Sequence, residues 1–352
     1  MSRFFSEKYR ALVPYTPGEQ PKDQQYVKLN TNESPFPPSP LAQRMAREEA
    51  GKLELYSDPE CRDLVAAAAE ILGVEKNEIL FTNGSDEILN FAFMAFCDEN
   101  RPAVFPDISY GFYEVFAQLN NVPYEKIPLR EDFTINVDDY CGLNKTIFIA
   151  NPNAPTGIGL GRAAIEKILK TNPDAVVVVD EAYVDFGGES VLPLIHEYEN
   201  LLVTQTFSKS RSLAGGRLGF GAANAALIRD LNTVKYSTNP YNINRMTMAA
   251  GIGALKDRAY FESNCAAIIE TREETKKTLE AMGFTVLPSQ TNFLFAKSDR
   301  IGGKELYLRL KENGILVRHF ETARLKDYNR ITVGSREQMR ILIQTIKKLL
   351  EE

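Results

Sequence analysis

The sequence has little that suits a metal site or a disulfide framework. Its four cysteines lie far apart and none forms a C-x-x-C pair: Cys61, Cys97, Cys141 and Cys265. Histidine is equally scarce, since only His196 and His319 could join the cysteines as soft ligands. We therefore expect no bound metal and no disulfide bonds.

A long apolar run and an excess of basic charge are also missing. No run approaches the ~18 residues that a membrane-spanning helix needs, and residues 1–15 lack the continuous apolar core of a signal peptide. The 47 acidic residues outnumber the 41 basic ones, so the net charge of -6 offers no basic footprint for nucleic acid. These absences predict a cytoplasmic protein that binds a small molecule rather than a membrane or a nucleic acid.

The composition is that of an ordinary globular protein. The chain has 352 residues, of which 44% are hydrophobic and 25% charged, and this is enough for a large core and two domains. Residues 1–40 contain too few apolar residues for a regular element and are predicted to form an N-terminal arm. We expect a large domain over residues 41–235 and a smaller α+β domain over residues 236–352.

Helical stretches alternate with short apolar runs in the predicted large domain. The patterns predict helices at 64–72 and 88–96, and strands at 146–150 and 175–179. Such alternation is typical of an α/β fold in which helices cover a mostly parallel sheet. No G-x-G-x-x-G motif follows an early strand, so the phosphate loop of a dinucleotide site is absent from the sequence.

The pattern changes after residue 236. A long helix is predicted at 260–282. The elements after it are predicted to be strands at 285–287, 292–296, 315–318 and 330–333, and helices at 304–313 and from 336 onward. Together they would form the smaller domain.

The first candidate catalytic residue is Lys209, in the segment Thr206-Phe-Ser-Lys-Ser-Arg-Ser-Leu-Ala-Gly-Gly-Arg217. Small polar residues surround this lysine, and Arg211 and Arg217 supply nearby positive charge. The combination suits an amine that holds an anionic aldehyde cofactor. A Ser-Lys pair in a loop is more often a surface turn, so the interpretation depends on other motifs.

Asp180 is the second candidate, because it directly follows the all-apolar run Val176-Val-Val-Val179. A carboxylate at that place is costly to desolvate without a cationic or hydrogen-bonding partner. A protonated pyridine nitrogen would be such a partner, whereas an isolated aspartate at a strand end more often anchors a loop. Tyr183, three residues further on, favours the first interpretation.

A third motif, Thr82-Asn-Gly-Ser-Asp-Glu87, runs straight into the predicted helix at 88–96. A helix that begins in a glycine-containing turn presents free N–H groups and a positive dipole end to an anion. Ser85 followed by acidic residues is also an ordinary helix N-cap.

These motifs resemble those of the fold-type I aminotransferases that depend on pyridoxal 5'-phosphate (PLP). The resemblance implies a mostly parallel seven-stranded sheet and a smaller C-terminal α+β domain. It makes Lys209 the Schiff-base lysine, Asp180 the partner of the pyridine nitrogen, and Tyr183 the partner of the 3'-oxygen. Tyr110 would stack on the ring. The residues implied to hold the phosphate are Gly84, Ser85, Asp86, Thr206, Ser208 and Arg217.

The turn Asn151-Pro-Asn-Ala-Pro-Thr-Gly157 is similar to the family's N-P-T-G turn but departs from it at one position. Ala154 precedes Pro155 where many relatives have asparagine. Asn153 is the candidate substitute as a cofactor ligand.

Further segments resemble the histidinol-phosphate aminotransferase family: Lys28-Leu-Asn-Thr-Asn-Glu-Ser-Pro35, Tyr56-Ser-Asp-Pro59, Gly314-Ile-Leu-Val-Arg-His-Phe320 and Arg330-Ile-Thr-Val-Gly334. The resemblance implies transfer of the amino group of L-histidinol phosphate to 2-oxoglutarate by a ping-pong mechanism. A PLP-dependent threonine-phosphate decarboxylase and an aromatic aminotransferase remain alternatives.

The same resemblance assigns substrate contacts. Arg330 would bind the carboxylate of glutamate or 2-oxoglutarate, because an arginine fork matches a carboxylate. Arg318 would meet the substrate phosphate, and Arg330 would serve both substrates. Arg336 either assists in binding the substrate or lies on the surface. Tyr56 would reach the cofactor phosphate of the other subunit of a homodimer. The remaining implied substrate residues are Tyr15, Asn32, Glu33 and Asn292, although each also suits a packing or turn role.

Overall fold

The computed structural model describes residues 2–351. Within that range the α-helices, in chain order, are α1 Pro40–Ala50, α2 Arg62–Leu72, α3 Ser85–Phe96, α4 Phe112–Leu119, α5 Arg162–Thr171, α6 Ala225–Thr238, α7 Arg245–Lys256, α8 Arg258–Ala281, α9 Gly303–Glu312 and α10 Arg336–Glu351. The β-strands are β1 Val27–Lys28, β2 Ile79–Thr82, β3 Ala103–Pro106, β4 Tyr124–Ile127, β5 Thr146–Ala150, β6 Val177–Asp180, β7 Leu201–Thr206, β8 Gly219–Ala223, β9 Phe284–Val286, β10 Phe293–Ser298, β11 Ile315–Leu316, β12 Arg318–His319 and β13 Tyr328–Thr332.

Seven strands form the central sheet in the order β2-β8-β7-β6-β5-β3-β4. Neighbouring strands are parallel except at β8, which is antiparallel to both β2 and β7. Helices α2, α5 and α7 contribute to the hydrophobic cluster on one face, and α3, α4 and α6 contribute to the cluster on the other. The predicted α/β fold with a mostly parallel seven-stranded sheet is confirmed.

Strand β6 shows why its sequence is apolar at successive positions. Val177 and Val179 pack into the cluster on one face, and Val178 packs into the cluster on the opposite face. Side chains alternate between the faces of a strand, so a strand covered on both sides needs an apolar residue at each step. Asp180 is the last residue of this buried strand.

A second, antiparallel sheet has the order β12-β13-β10-β9. Helices α8, α9 and α10 pack on it through a separate hydrophobic cluster. In α10 the buried residues Met339, Leu342, Ile346 and Leu349 recur at helical spacing, and this places them on one face of the helix.

The arm contains a short strand, so the expectation that it lacks regular structure was wrong. Strand β1 pairs in parallel with β11, whereas β12 pairs with β13. The single strand predicted at 315–318 is therefore two short strands in different sheets, with the buried Val317 between them. Two residues of strand are too few to give an alternating sequence pattern.

The division of the chain at residues 40 and 235 stays a prediction. Helix α7 lies beyond the second boundary, yet it packs against α1 and α2, with Ala250 and Ala254 in the same cluster as Ala42 and Leu64. No helix among residues 2–351 is both long and apolar enough to cross a bilayer.

Candidate active site

The carboxyl ends of β5, β6 and β7 meet at one edge of the central sheet. Their last residues, Ala150, Asp180 and Thr206, all line one cavity, which we call the inner cavity. Open α/β sheets bind ligands at this edge. The loop that follows β7 brings Lys209 to the same cavity, so the lysine and the aspartate can contact a single ligand.

One end of the inner cavity is suited to an anion. Helix α3 begins there, and its N-cap is Gly84, which has a φ of 76° and no side chain to cap the helix. The guanidinium of Arg217 lies against this glycine, because a Cβ added at Gly84 would come within 2.5 Å of its Nη2 atom. Ser208 and Thr206 line the same end, where the Arg217 Nη1 atom donates to the Ser208 hydroxyl at 3.5 Å. A guanidinium and a helix N-terminus together favour a phosphate.

Asp86 connects this end to an aromatic wall of the cavity. Its carboxylate accepts a hydrogen bond from the Tyr110 hydroxyl at 2.6 Å and forms an ion pair with Arg217 at 3.0 Å. The carboxylate thereby holds both the arginine and the ring of Tyr110 in position.

Asp180 is buried at the end of strand β6 and lines the same cavity. Its carboxylate accepts hydrogen bonds from the Tyr113 hydroxyl and the Ala182 N–H, each at 3.1 Å. Burial nevertheless raises the pKa of Asp180 to about 7, because two neutral donors do not replace the solvation of a full charge. Sequence reasoning missed Tyr113, although it stands three residues after Tyr110 where helix α4 begins, and the two rings meet edge to face.

Replacing Asp180 with asparagine is expected to change how the stability of the ligand-free protein depends on pH. The folded pKa of about 7 lies above the ordinary value of 3.8. The stability from this group is therefore complete below pH 3.8 and is lost as the pH rises to 7. The loss is about 4 kcal/mol of unfolding free energy, at about 1.4 kcal/mol per pKa unit. Urea unfolding at pH 4 and pH 8 should show the wild type losing this stability relative to Asp180→Asn; an equal pH dependence would contradict the prediction.

Lys209 lines the inner cavity with few contacts of its own. Its Nζ atom is 3.4 Å from the Thr31 carbonyl oxygen and 5.8 Å from the centroid of the Tyr183 ring. The Tyr183 hydroxyl accepts a hydrogen bond at 2.9 Å from Asn32 of the arm. Asn292 donates to the Asn32 backbone carbonyl, so it supports the arm and does not line the inner cavity.

A larger outer cavity of about 690 Å³ adjoins the inner one and shares Lys209, Tyr110 and Tyr183 with it. Arg330 lines the outer cavity between the rings of Phe293 and Phe320. Its Nη2 atom donates to the Asn30 carbonyl at 3.2 Å, whereas its buried Nε has no hydrogen-bond partner within residues 2–351. An unpaired buried donor is costly, so this guanidinium is suited to an anionic ligand.

The arm forms the other wall of the outer cavity. The Arg318 guanidinium donates to the backbone carbonyls of Thr16 and Pro17 at 3.1 and 3.2 Å. Tyr15 lines the outer cavity and stacks on Phe112. Another arm residue, Glu33, lines the inner cavity.

Some candidate residues are not at either cavity. The Asn153 amide is used within the protein, since its Nδ2 donates to the Ile108 carbonyl and the Thr156 hydroxyl and its Oδ1 accepts from Ser109. Ala154 lines both cavities instead.

Three other candidates also lie elsewhere. The side chain of Tyr56 is 81% exposed and stacks on Tyr241. Arg211 donates to the Ala254 carbonyl, and Arg336 forms a surface ion pair with Glu270.

The chain belongs to the family of class I and II aminotransferases, whose model matches residues 24–346. A histidinol-phosphate aminotransferase of Brachyspira hyodysenteriae is 48% identical to the chain over 353 aligned positions, with both proteins covered in full. The predicted membership of this family is confirmed.

Solved structures share the fold. A histidinol-phosphate aminotransferase of Sinorhizobium meliloti in complex with pyridoxal-5'-phosphate aligns with a TM-score of 0.90 at 23% identity, covering 100% of this chain and 98% of the other. An L-threonine-O-3-phosphate decarboxylase of Porphyromonas gingivalis aligns with a TM-score of 0.80, also at 23% identity, covering 93% of this chain and 100% of the other. Because proteins with different reactions share this fold, the fold alone does not decide the substrate.

Proposed function

We propose that this aminotransferase transfers the amino group of L-histidinol phosphate to 2-oxoglutarate with PLP as cofactor, giving imidazole acetol phosphate and glutamate. The main observation behind the proposal is that Lys209 and Asp180 line one cavity, and that this cavity adjoins a second one lined by Arg330, whose buried Nε atom has no hydrogen-bond partner within residues 2–351. The identity of 48% to a histidinol-phosphate aminotransferase over the full chain supports the choice of substrate.

The residues of the inner cavity fit PLP. Arg217 and the start of α3 suit the cofactor phosphate, and Lys209 suits its aldehyde. The raised pKa of Asp180 indicates a buried carboxylate that lacks a cation, and a protonated pyridine nitrogen would supply that cation. Tyr110 lines the cavity and is suited to stack on the cofactor ring.

Each of several side chains would have a separate role in the reaction. PLP, when bound, withdraws electrons from the substrate's Cα. The carboxylate of Asp180 would pair with the protonated pyridine nitrogen, and the Tyr183 hydroxyl, which accepts a hydrogen bond from Asn32, would donate to the 3'-oxygen. The Nζ atom of Lys209 takes up the proton that leaves Cα and later returns one, as a general base and then a general acid. Arg330 binds the anionic group next to the reacting amine.

A comparison of amino donors tests the proposal. The PLP-loaded protein should form glutamate from 2-oxoglutarate with L-histidinol phosphate, and much more slowly with phenylalanine. Release of carbon dioxide from O-phosphothreonine without amino transfer would contradict the proposal in favour of a decarboxylase. Faster reaction with phenylalanine than with histidinol phosphate would favour an aromatic aminotransferase.

We also propose that the protein is a homodimer in which Tyr56 reaches the cofactor phosphate of the partner subunit. The support is an exposed apolar surface around Tyr56 that includes Tyr241, Leu53 and Leu55, since such patches commonly mark interfaces. Light scattering that gives the mass of a monomer at micromolar concentration would contradict this. A cytoplasmic location is proposed as well, because the four cysteines are free thiols.

A further inference from the structure

The outer cavity has a charged pair on its wall that the proposed reaction has not yet used. Asp107 follows strand β3, and Arg324 lies in the segment between β12 and β13; both line the cavity. The Arg324 Nη1 atom is 3.3 Å from Asp107 Oδ2. The side chain of Arg324 is 37% exposed and that of Asp107 is 28% exposed. An ion pair that remains this accessible contributes about 0–1 kcal/mol to the stability of the protein. A ligand can therefore replace either partner at low cost.

Each member of the pair is anchored by one atom and leaves another available. Asp107 Oδ1 accepts the Leu129 N–H at 2.8 Å, while Oδ2 faces Arg324. Arg324 Nη2 donates to the Arg130 carbonyl at 2.6 Å, and its guanidinium lies 5.2 Å from the centroid of the Phe133 ring. The carboxylate and the guanidinium are thus held in place even when the bond between them is broken.

The other two arginines of the cavity differ from Arg324. Within residues 2–351, Arg330 and Arg318 donate to backbone carbonyls and form no ion pair with a carboxylate. They give one part of the cavity a positive charge that suits an anion in every reaction step. The Asp107–Arg324 pair instead offers both signs of charge at one place.

The chemistry of the two amino donors requires both signs of charge at one place in the cavity. In glutamate, Cα carries a carboxylate and a longer arm that ends in a second carboxylate. In histidinol phosphate, Cα carries the phosphate ester arm and a second arm that ends in imidazole. If Arg330 holds the anion beside the amine in both, the imidazole and the distal carboxylate must point to the same region. That region then needs an acceptor for an imidazole N–H and a donor for a carboxylate.

We propose that Asp107 and Arg324 determine the dual specificity of the enzyme, with Asp107 accepting the imidazole N–H of histidinol phosphate and Arg324 binding the distal carboxylate of glutamate or 2-oxoglutarate. The inference rests on the proposed function and extends it. When no substrate is bound, the two side chains neutralise each other, so neither charge is left unpaired in the cavity.

Separate half-reactions of the PLP-loaded enzyme test this inference. Arg324→Gln is expected to lower kcat/KM for glutamate and 2-oxoglutarate at least about tenfold, the loss of one hydrogen-bonded charge, and to leave histidinol phosphate within about twofold. Asp107→Asn is expected to lower kcat/KM for histidinol phosphate at least about tenfold and to leave glutamate and 2-oxoglutarate within about twofold. Arg324→Lys retains the cation and should recover part of the activity with 2-oxoglutarate. The matched control is Arg101→Gln, which breaks an exposed Arg–Asp pair just before strand β3 begins, at the opposite edge of the sheet.

Binding of glutarate gives a second readout that does not depend on turnover. This unreactive dicarboxylate should bind the PLP-loaded Arg324→Gln enzyme at least about tenfold more weakly than wild type in calorimetry, and should bind Asp107→Asn as tightly or more tightly. The inference is overturned if both variants slow both half-reactions equally, or if neither variant changes the rate of any half-reaction. In either case the ion pair only joins two segments of the chain. A wild type that accepts glutamate but not histidinol phosphate would instead contradict the proposed function, and glutarate binding would still decide the role of Arg324.

Discussion

Replacing Lys209 with alanine is expected to lower transamination by at least about a thousandfold, because in the proposed mechanism its amine is both the attachment point of PLP and the proton carrier. Among the residues that line the inner cavity, Lys209 is the only lysine. Its Nζ atom has one long contact with a backbone carbonyl, so the amine is available to a ligand. Single-turnover absorbance with histidinol phosphate measures the loss. Peptide mapping after borohydride reduction of the wild type should find the modified lysine at position 209.

The control for this prediction is Lys126→Ala. Lys126 lies on the edge strand β4 in a surface ion pair with Glu114 and is outside both cavities. This variant should retain wild-type rates and the same reduced peptide. Attachment of the cofactor to a different lysine, or near-normal turnover by Lys209→Ala, would show that the assignment is wrong.

Replacing Arg330 with glutamine is expected to lower kcat/KM in both half-reactions by about a hundredfold or more, since losing the partner of a buried charge costs about 2–5 kcal/mol. Both donors carry an anion next to the reacting amine, and Arg330 is the cavity guanidinium with an unpaired buried Nε. The loss should appear mainly in KM. Arg330→Lys should recover only part of the activity, because an ammonium group cannot form the two parallel bonds of a guanidinium.

The contrast with the Asp107–Arg324 pair of the same cavity makes the Arg330 result informative. Arg324→Gln should affect one half-reaction, whereas Arg330→Gln should affect both. Arg340→Gln, which breaks an exposed ion pair with Glu337 on α10, is the control and should leave both half-reactions unchanged. A defect of Arg330→Gln confined to one donor would mean that the donors do not share the anion site.

Local patterns in the sequence predicted two of the seven strands of the central sheet. Strand β5 has the predicted bounds, and β6 differs from its predicted bounds by only a few residues, because a strand buried on both faces leaves an unbroken apolar run. The motif-based residues Asp180, Tyr183 and Lys209 converge at one cavity because each follows or ends a strand at the same edge of the sheet. Their chemical roles stay predictions that the variants above can test.

Contacts between distant segments could not be predicted in the same way. Asn153 has the right residue type and position for a cofactor ligand, yet three neighbouring groups occupy its amide. Tyr113 of helix α4 was missed because its importance depends on Asp180, a residue at the end of strand β6. The pairing of β1 with β11 depends on a partner far along the chain, and two residues carry no periodic signal.

The attachment of the arm has a consequence for biosynthesis. The Asn32 N–H donates to the Thr332 hydroxyl 300 positions further along the chain, while its side chain donates to Tyr183. During translation the ribosome makes this asparagine long before it makes the threonine. The central sheet can assemble in the interval, but the arm, which forms one wall of the outer cavity, can be attached only after Thr332 has been made. A nascent chain can therefore acquire its cofactor-binding edge before it is able to distinguish one amino donor from another.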